Sequence, residues 1–150
     1  MLSSLQLEGG SGMTNNTLLF RGKKKDKDQW VFGYYVVCDE RSFIVPRPVE
    51  CDTCKHMYDG YWLGTFYEVI RETVCQFTGV KDKHGIYIYG GDIVKNLHRN
   101  NDLNYDVVWD TQLAAFIVRN PTDNSWDYLG SGKWEVVGDI FNNADSKVRK

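Results

Sequence analysis

Short stretches rich in β-branched and aromatic residues recur along the chain from residue 18 onward, and polar turn residues separate them. Residues 29–38 and 105–110 show this pattern most clearly, because Val, Tyr, Phe and Trp dominate both. Such residues favour strands, and no segment keeps the 3.6-residue period of a long amphipathic helix. The pattern therefore predicts a mainly all-β protein.

The N-terminal strands read as a β-meander over residues 18–45. Its three strands are predicted at 18–21, 29–38 and 43–45. Gly33 inside the second strand predicts a bulge or a close approach of two backbones, because glycine has no Cβ. Pro46 ends the third strand, since proline cannot donate a hydrogen bond to a neighbouring strand.

The rest of the chain divides into two predicted parts. A further strand is expected within 61–69 and a short helical turn within 68–75, so that 18–73 forms an N-terminal β subdomain. From residue 74 to residue 145, short strands alternate with turns rich in Gly, Asn and Asp at intervals of roughly ten residues. This spacing predicts that 74–145 is a C-terminal SH3-like β-barrel.

Two short segments of this second part share a sequence. Gly91 and Asp92, followed by two apolar residues, recur as Gly138 and Asp139 followed by two apolar residues. A repeated strand boundary suits the first and last strands of a barrel, with each Asp accepting hydrogen bonds from turn N–H groups. A catalytic pair of carboxylates is the alternative, but the sequence brings no base or ligand beside either Asp.

The composition is that of an ordinary soluble globular protein. The chain has 150 residues, 42% of them hydrophobic and 14% aromatic, with a formal charge of −2. No uncharged apolar run approaches the ~18 residues that a membrane-spanning helix needs. Residues 1–17 predict a disordered leader, and Glu8-Gly9-Gly10 ahead of Met13 suggests that Met13 is the true start. Residues 146–150 form a basic tail.

Charge is unevenly distributed, and this bears on nucleic-acid binding. A basic cluster comprises Arg21, Lys23, Lys24, Lys25 and Lys27. Phosphate recognition needs Lys and Arg concentrated on one face, but Asp26 and Asp28 interrupt the cluster. Residues 101–145 carry eight acids and two bases, which favours a basic protein partner there over nucleic acid. A nucleic-acid-binding regulator is therefore an alternative function rather than the leading one.

The four cysteines raise the question of metal binding. Cys51, Cys54 and His56 have the spacing of one half of a zinc site, and Cys38 or Cys75 would have to supply a fourth ligand. Without a secretion signal the expected compartment is reducing, so four free thiols are the default. A zinc-stabilised binding module is thus a second alternative, and no cofactor is expected.

No constellation of catalytic residues is visible. His84 and His98 lie in predicted turns without a Ser or Cys nucleophile beside them in sequence. Phosphate-binding glycine motifs and the nucleophile-elbow motif are also missing from the sequence. We expect a protein that is not an enzyme.

One segment carries a family resemblance. Residues 74–85, VCQFTGVKDKHG, followed by IYGGDIV at 88–94, resemble the central signature of the YopX family of phages and prophages. The opening strands and the closing WEVVGDIFNN of residues 134–143 extend this resemblance over about 18–145. Its motif residues are Gln76, Phe77, Thr78, Gly79, Gly85, Gly91, Asp92, Gly138 and Asp139.

This chain departs from the family pattern at Gly90, where the family usually has Glu, and at Asp139, where it often has Asn. Such exchange indicates a structural role for the motif. The resemblance implies a mainly β protein encoded on mobile DNA in bacteria, and it implies no catalytic residue set.

Together these observations predict a phage or prophage accessory protein in the cytoplasm of the bacterial host. It is expected to act by binding or assembly with protein partners, either itself as a homo-oligomer or another phage or host protein.

Overall fold

The computed structural model of the chain describes residues 18–46, 65–99, 102–130 and 133–142. Two antiparallel sheets account for nearly all of its regular structure, which confirms the mainly β prediction. The strands are β1 (Phe20–Lys23), β2 (Trp30–Cys38), β3 (Arg41–Pro46), β4 (Tyr67–Glu68), β5 (Cys75–Lys81), β6 (Tyr87–Tyr89), β7 (Asp92–Asn96), β8 (Asn104–Asp110), β9 (Ala115–Arg119), β10 (Trp126–Tyr128) and β11 (Trp134–Asp139).

The first sheet has six strands in the order β4-β3-β2-β1-β5-β6. It contains the predicted meander, because β1 pairs with β2 and β2 pairs with β3. Asp39 and Glu40 form the turn between β2 and β3 with positive φ angles of 47° and 63°. A two-residue turn of this kind matches the natural twist of the two strands.

Gly33 lies where the backbones of β2 and β3 come close together. A Cβ at this position would stand 1.9 Å from the carbonyl oxygen of Val45, which no side chain can tolerate. The predicted close approach is therefore confirmed.

At its β4 end, the first sheet bends back toward β1 and covers a small core. Lys24 bridges to Val69, so the end of β1 meets the residue that follows β4. A 3₁₀ turn, Arg71–Thr73, lies within the predicted helical turn and links β4 to β5. The core beneath consists of buried Val31, Ile44 and Val69, with Phe20, Tyr35, Tyr67 and Val74 packed around them.

The second sheet has five strands in the order β10-β9-β8-β7-β11. Its core consists of Val94, Tyr105, Val107, Val118 and Trp134, and Ile88 from β6 packs into the same cluster. The hairpin of β5 and β6 therefore belongs to the first sheet by hydrogen bonding and contributes to the core of the second sheet by packing.

The predicted SH3-like barrel is not confirmed. Among the described strands, β10 and β11 are the two edges of the second sheet, so that sheet is open. Strands β5 and β6, which the predicted boundary at residue 74 assigns to the barrel, extend the first sheet beside β1.

Several predictions concern residues outside the described ranges. They are the leader 1–17 with Met13, the half-site Cys51, Cys54 and His56, and the basic tail 146–150.

Candidate functional site

Arg21 does not belong to an exposed basic cluster, contrary to the sequence-based prediction. It lies in β1, opposite Phe32 of β2 and Cys75 of β5, and its side chain is only 8% exposed. Alternation turns Arg21 away from the core that Phe20 packs against, and on that other face Asp92 and the rings of Trp30 and Tyr89 cover its guanidinium. A buried guanidinium cannot contact a nucleic-acid backbone.

The lysines of the cluster are mostly engaged in contacts. Lys23 is largely buried, and its Nζ donates to Asp28 at 2.7 Å and to Asn142. Lys24 lies over the ring of Tyr67, with Nζ 3.7 Å from the ring centroid.

Lys25 joins an ion-pair network on the surface of β3 and β4. Its Nζ lies 3.0 Å from Glu68, which also receives two hydrogen bonds from Arg41. The hydrogen bonds from Arg41 and then from Lys25 lower the pKa of Glu68 from 4.5 to about 2. Lys27, by contrast, is exposed, and its only hydrogen bond within the described residues is a backbone one, from the N–H of Gln29 to its carbonyl oxygen.

The buried partner of Arg21 is Asp92, the first residue of β7. Arg21 Nη2 lies 2.6 Å from Asp92 Oδ1, and the Asp92 side chain is 1% exposed. The pair is close but not aligned as a hydrogen bond, and Nε and Nη2 of Arg21 find no acceptor among the described residues. Two rings complete the surroundings, since the guanidinium carbon lies 4.4 Å from the ring centroid of Trp30 and 5.0 Å from that of Tyr89.

The two aspartates of the repeated sequence lie opposite each other. Asp139 ends β11 and pairs in register with Asp92 at the start of β7. Asp92 accepts the backbone N–H of Tyr89, and Asp139 accepts those of Phe141 and Asn142. The predicted role of both carboxylates in holding turns is therefore confirmed.

Burial has the largest effect on the pKa values of the titratable groups around Arg21. It raises the pKa of the Asp92 carboxyl group, against the opposing effect of Arg21, and nearby Asp139 adds to the rise. Burial also raises the pKa of the Cys75 thiol, against the effect of Arg21. A thiol with a raised pKa is a poor nucleophile near neutral pH, so this geometry does not favour cysteine chemistry.

The motif residues shape the corner where the two sheets meet. Thr78 Oγ1 donates to the carbonyl oxygen of Ile88 and thereby holds β5 to β6 across an irregular stretch of their pairing. Gly91 has a φ of 79°, and a Cβ there would stand 2.9 Å from the ring of Phe141. The Gly91 N–H donates to Val107 and its carbonyl oxygen accepts from Ile140, so this residue links three strands of the second sheet.

The loop between β5 and β6 is held by Asp82. Its carboxylate accepts the backbone N–H groups of His84, Ile86 and Val136. Burial alone would raise the pKa of Asp82, but these three donors outweigh it and lower the pKa. Gly85 in the same loop has a φ of 79°, which confirms the predicted left-handed position.

The described residues give no support to a metal centre. Cys38 is exposed at the end of β2, whereas Cys75 is half-buried next to Arg21. Within the described ranges, no three His, Cys, Asp or Glu side chains are grouped as metal ligands would be. The proposed half-site itself lies outside those ranges.

The outer face of the first sheet is an exposed apolar surface. Phe32, Tyr34 and Val36 alternate along β2 with inward-facing residues, and Phe32 is 50% exposed. Val36 pairs in register with Phe43 of β3, whose ring meets that of Phe66 edge-on at 5.4 Å. We call these five residues the outer apolar face.

A groove of about 330 Å³ lies at the end of this face nearest the second sheet. It runs between β2 and the hairpin of β5 and β6, and its lining residues are Leu19, Phe32, Gly33, Ile86, Tyr87 and Tyr89. The groove was not predicted from the sequence, because its walls come from β2 and from the hairpin of β5 and β6, which are distant along the chain. In the sequence of β2, apolar residues occupy both sets of alternating positions, and a strand with two apolar faces was the available signal.

The comparison with known families decides the identity at the family level. The family model described as YopX protein matches residues 19–145, which is most of the chain. The chain belongs to the YopX family. The resemblance in the central signature is thus confirmed, and the YopX match also spans both sheets and the outer apolar face. A search of the curated proteins finds none that matches.

One finding concerns membranes. Within the described ranges of this YopX chain, no helix is long and apolar enough to cross a bilayer.

Proposed function

We propose that this YopX protein is a non-enzymatic accessory protein of a phage or prophage that acts by protein binding and assembly. Its working surface is the outer apolar face together with the adjoining groove. Its compartment is the cytoplasm of the bacterial host, and its first partner is a second copy of the same chain.

The observation that carries this proposal is the exposure of the outer apolar face. Isolated exposed apolar residues are normal, but a contiguous patch on one side of a sheet marks a contact surface. Phe32, Tyr34 and Val36 form such a patch along a single strand, and the groove beside Phe32 offers a recess for an inserted side chain.

The charges around this face favour protein over nucleic acid. Phosphate binding depends on available cations, and most cations of the first sheet are already occupied. Arg21 is buried against Asp92, while Arg41 and Lys25 are both bound to Glu68.

A second copy is a suitable partner on electrostatic grounds. A two-fold interface brings a surface patch against the same patch of its copy, so a charged patch would repel itself. The five side chains of the outer apolar face are uncharged, and Arg41, which lies over Phe43, is paired with Glu68, so the face can meet its own copy without that repulsion.

The test compares two neighbouring residues of β2 that are both exposed but lie on opposite faces. Val36 belongs to the outer apolar face, whereas Val37 is exposed on the other side of the strand. We expect Val36→Asp to convert the oligomer to a monomer in native mass spectrometry, because a buried carboxylate opposes association. The matched variant Val37→Asp should keep the oligomer, with circular dichroism showing that both variants are folded.

Two outcomes would overturn the proposal. A wild-type chain that stays monomeric at high micromolar concentration would remove the second copy as partner. An oligomer that both variants retain would show that the outer apolar face is not the contact surface.

A further inference from the structure

We infer that residues 34–38 of β2 pair, along their free side, with the same residues of a second copy, so that the first sheets of two chains join into one. The inference rests on the proposed function in taking a second copy as the partner, and it names the groups that join the copies. Strand β1 pairs with β2 only from Trp30 to Gly33, whereas β3 pairs with β2 as far as Cys38. Among the described residues, the β1 side of residues 34–38 therefore has no strand beside it, and we call it the open edge of β2.

The pairing of β2 with β3 shows which backbone groups face the open edge. A two-residue turn joins the two strands, so Cys38 bonds to β3, and by alternation Val36 and Tyr34 bond to β3 as well. The residues between them, Tyr35 and Val37, direct their N–H and C=O groups to the other side. These backbone groups make no hydrogen bond within the described ranges.

The residues just before β1 do not fill the open edge as far as the structure describes them. If the register of Phe20 with Gly33 continued, Leu18 would lie opposite Tyr35. Leu18 makes no backbone hydrogen bond to Tyr35, and it is 58% exposed. The pairing of β1 with β2 therefore ends at Phe20, and the backbone groups of Tyr35 remain open.

The four edge strands of the two sheets differ from this stretch of β2, because each has an outward backbone group that is bonded within the chain. These bonds run from the N–H of Lys25 to Glu68 of β4, from Tyr89 of β6 to Asp92, from Tyr128 of β10 to Asp127, and from Val136 of β11 to Asp82. Bonds of this kind, and charged side chains or proline at an edge, oppose the addition of a further strand. Residues 34–38 contain no charged residue and no proline. The open edge of β2 is thus the one that suits strand addition among the described residues.

A second copy supplies the groups that the open edge lacks. Two copies of β2 that run antiparallel about a two-fold axis at Val36 bring Tyr35 opposite the partner's Val37, and symmetry produces the reverse pair. Each pair exchanges two N–H to C=O hydrogen bonds, so every open backbone group of Tyr35 and Val37 is bonded. Val36 meets the partner's Val36 on the axis, at a position where cross-strand side chains come closest. Because valine is uncharged and β-branched, this contact stabilises the pairing.

The same pairing connects the outer apolar faces of the two copies. Tyr34 and Val36 belong to that face, and they lie on one side of the strand. When the open edges pair, the two faces lie side by side on one continuous sheet and meet at Val36.

The experiment measures amide hydrogen exchange of the full-length protein by mass spectrometry with fragmentation to single residues. It is done at two protein concentrations, at which native mass spectrometry shows the oligomer and the monomer respectively. We expect the amides of Tyr35 and Val37 to exchange about ten-fold more slowly in the oligomer, because only there do they find acceptors. The amides of Tyr34 and Val36 bond to β3 in both states and are the internal controls, so their exchange should change much less.

A second measurement removes a backbone donor without altering the outer apolar face. Val37→Pro deletes the N–H that faces the open edge and leaves the hydrogen bonds to β3 in place, because proline is tolerated where the N–H points away from the neighbouring strand. We expect it to raise the dissociation constant of the oligomer by about ten-fold or more, since each pair of copies loses two hydrogen bonds. Val37→Thr keeps the N–H and nearly the same shape, and this control should leave the dissociation constant unchanged. Circular dichroism verifies that both variants are folded.

Three outcomes would overturn the inference and leave the proposed function standing. One is an oligomer in which the amides of Tyr35 and Val37 exchange as fast as in the monomer. Another is slow exchange of these amides in the monomer, which would assign the open edge to another segment of the same chain. The third is a folded Val37→Pro variant that associates as tightly as Val37→Thr. A wild-type chain that stays monomeric at high micromolar concentration would overturn the proposed function and this pairing together.

Discussion

At the scale of single residues, the buried pair of Arg21 and Asp92 is the most consequential feature. Taking two charges out of water is costly, and their attraction offsets that cost only while both are present. The rings of Trp30 and Tyr89 lie against the guanidinium of Arg21, and their attraction for the cation offsets part of its desolvation cost. Loss of either charge would leave the other buried and unpaired.

We therefore expect Arg21→Met and Asp92→Asn each to lower the free energy of unfolding by about 3–5 kcal/mol. The double variant Arg21→Met/Asp92→Asn should be less destabilised than the sum of the two single changes, because no unpaired charge is left. Chemical denaturation measures all three variants.

The exposed pair of Lys95 and Asp102 provides the control for this cycle. Its two atoms are 2.9 Å apart, but both side chains reach solvent, so Asp102→Asn should leave stability unchanged. Strict additivity of the Arg21 and Asp92 changes would show that the two charges do not depend on each other.

The sequence pointed to a structural role for Asp92 but not for Arg21. Asp92 was identified through the repeated Gly-Asp sequence, whereas Arg21 was grouped with the lysines that follow it. The alternation of strand positions was visible around Arg21, but a run of basic residues reads as a solvated surface. Its partner, 71 positions along the chain, follows from the fold and not from local pattern.

At the scale of elements, the hairpin of β2 and β3 shows how a single glycine can determine pairing. The strands approach so closely at Gly33 that the Val45 carbonyl oxygen occupies the space of a side chain. The same hairpin carries the outer apolar face on one side and Ile44 of the core on the other. A change in the register between β2 and β3 would therefore disturb both the outer apolar face and the core around Ile44.

We expect Gly33→Ala to destabilise the protein by about 1–3 kcal/mol or more, because the backbones must separate to admit the methyl group. Gly138→Ala is the comparison, since a Cβ on Gly138 in β11 would meet no atom within 4 Å. Thermal unfolding of both variants is the measurement, and an equal change in the two would contradict the explanation.

Most strands could be predicted from the sequence, but their partners could not all be. Alternation and β-branched residues located β2, β8 and β9, and local turns made their hairpins predictable. The choice of β1 as the partner of β5 depends on Phe20 meeting Gln76, a contact between distant residues. The barrel prediction rested on strand spacing and on the repeated Gly-Asp boundary, and neither of these indicates that β5 pairs with β1.

At the scale of the whole molecule, the two sheets are joined at a few defined points. One is the loop after β5. There the Asp82 carboxylate accepts the backbone N–H of Val136, and the backbone N–H of Lys83 donates to the carbonyl oxygen of Trp134. These contacts cover part of the free edge of β11. The loop therefore connects the first sheet to the last strand of the second.

We expect Asp82→Ala to cost about 2–4 kcal/mol, because three backbone N–H groups lose their acceptor. Amide hydrogen exchange should speed up most at Ile86 and Val136, while the amide of Val94 in the core should change less. Asp26→Ala, in an exposed turn, is the control and should alter neither stability nor exchange. Uniform acceleration at all three amides would show that Asp82 stabilises the molecule without joining its parts.

The order in which the chain is made gives the pairing of β1 a further consequence. About 50 residues separate the end of β1 from the start of β5, so a ribosome that adds about 5–20 residues per second needs several seconds to supply the second partner. During that time β1 can pair with β2, but its other edge stays open to any strand nearby. Synthesis of this protein thus includes an interval in which neighbouring nascent chains compete with β5, and slower translation would lengthen it.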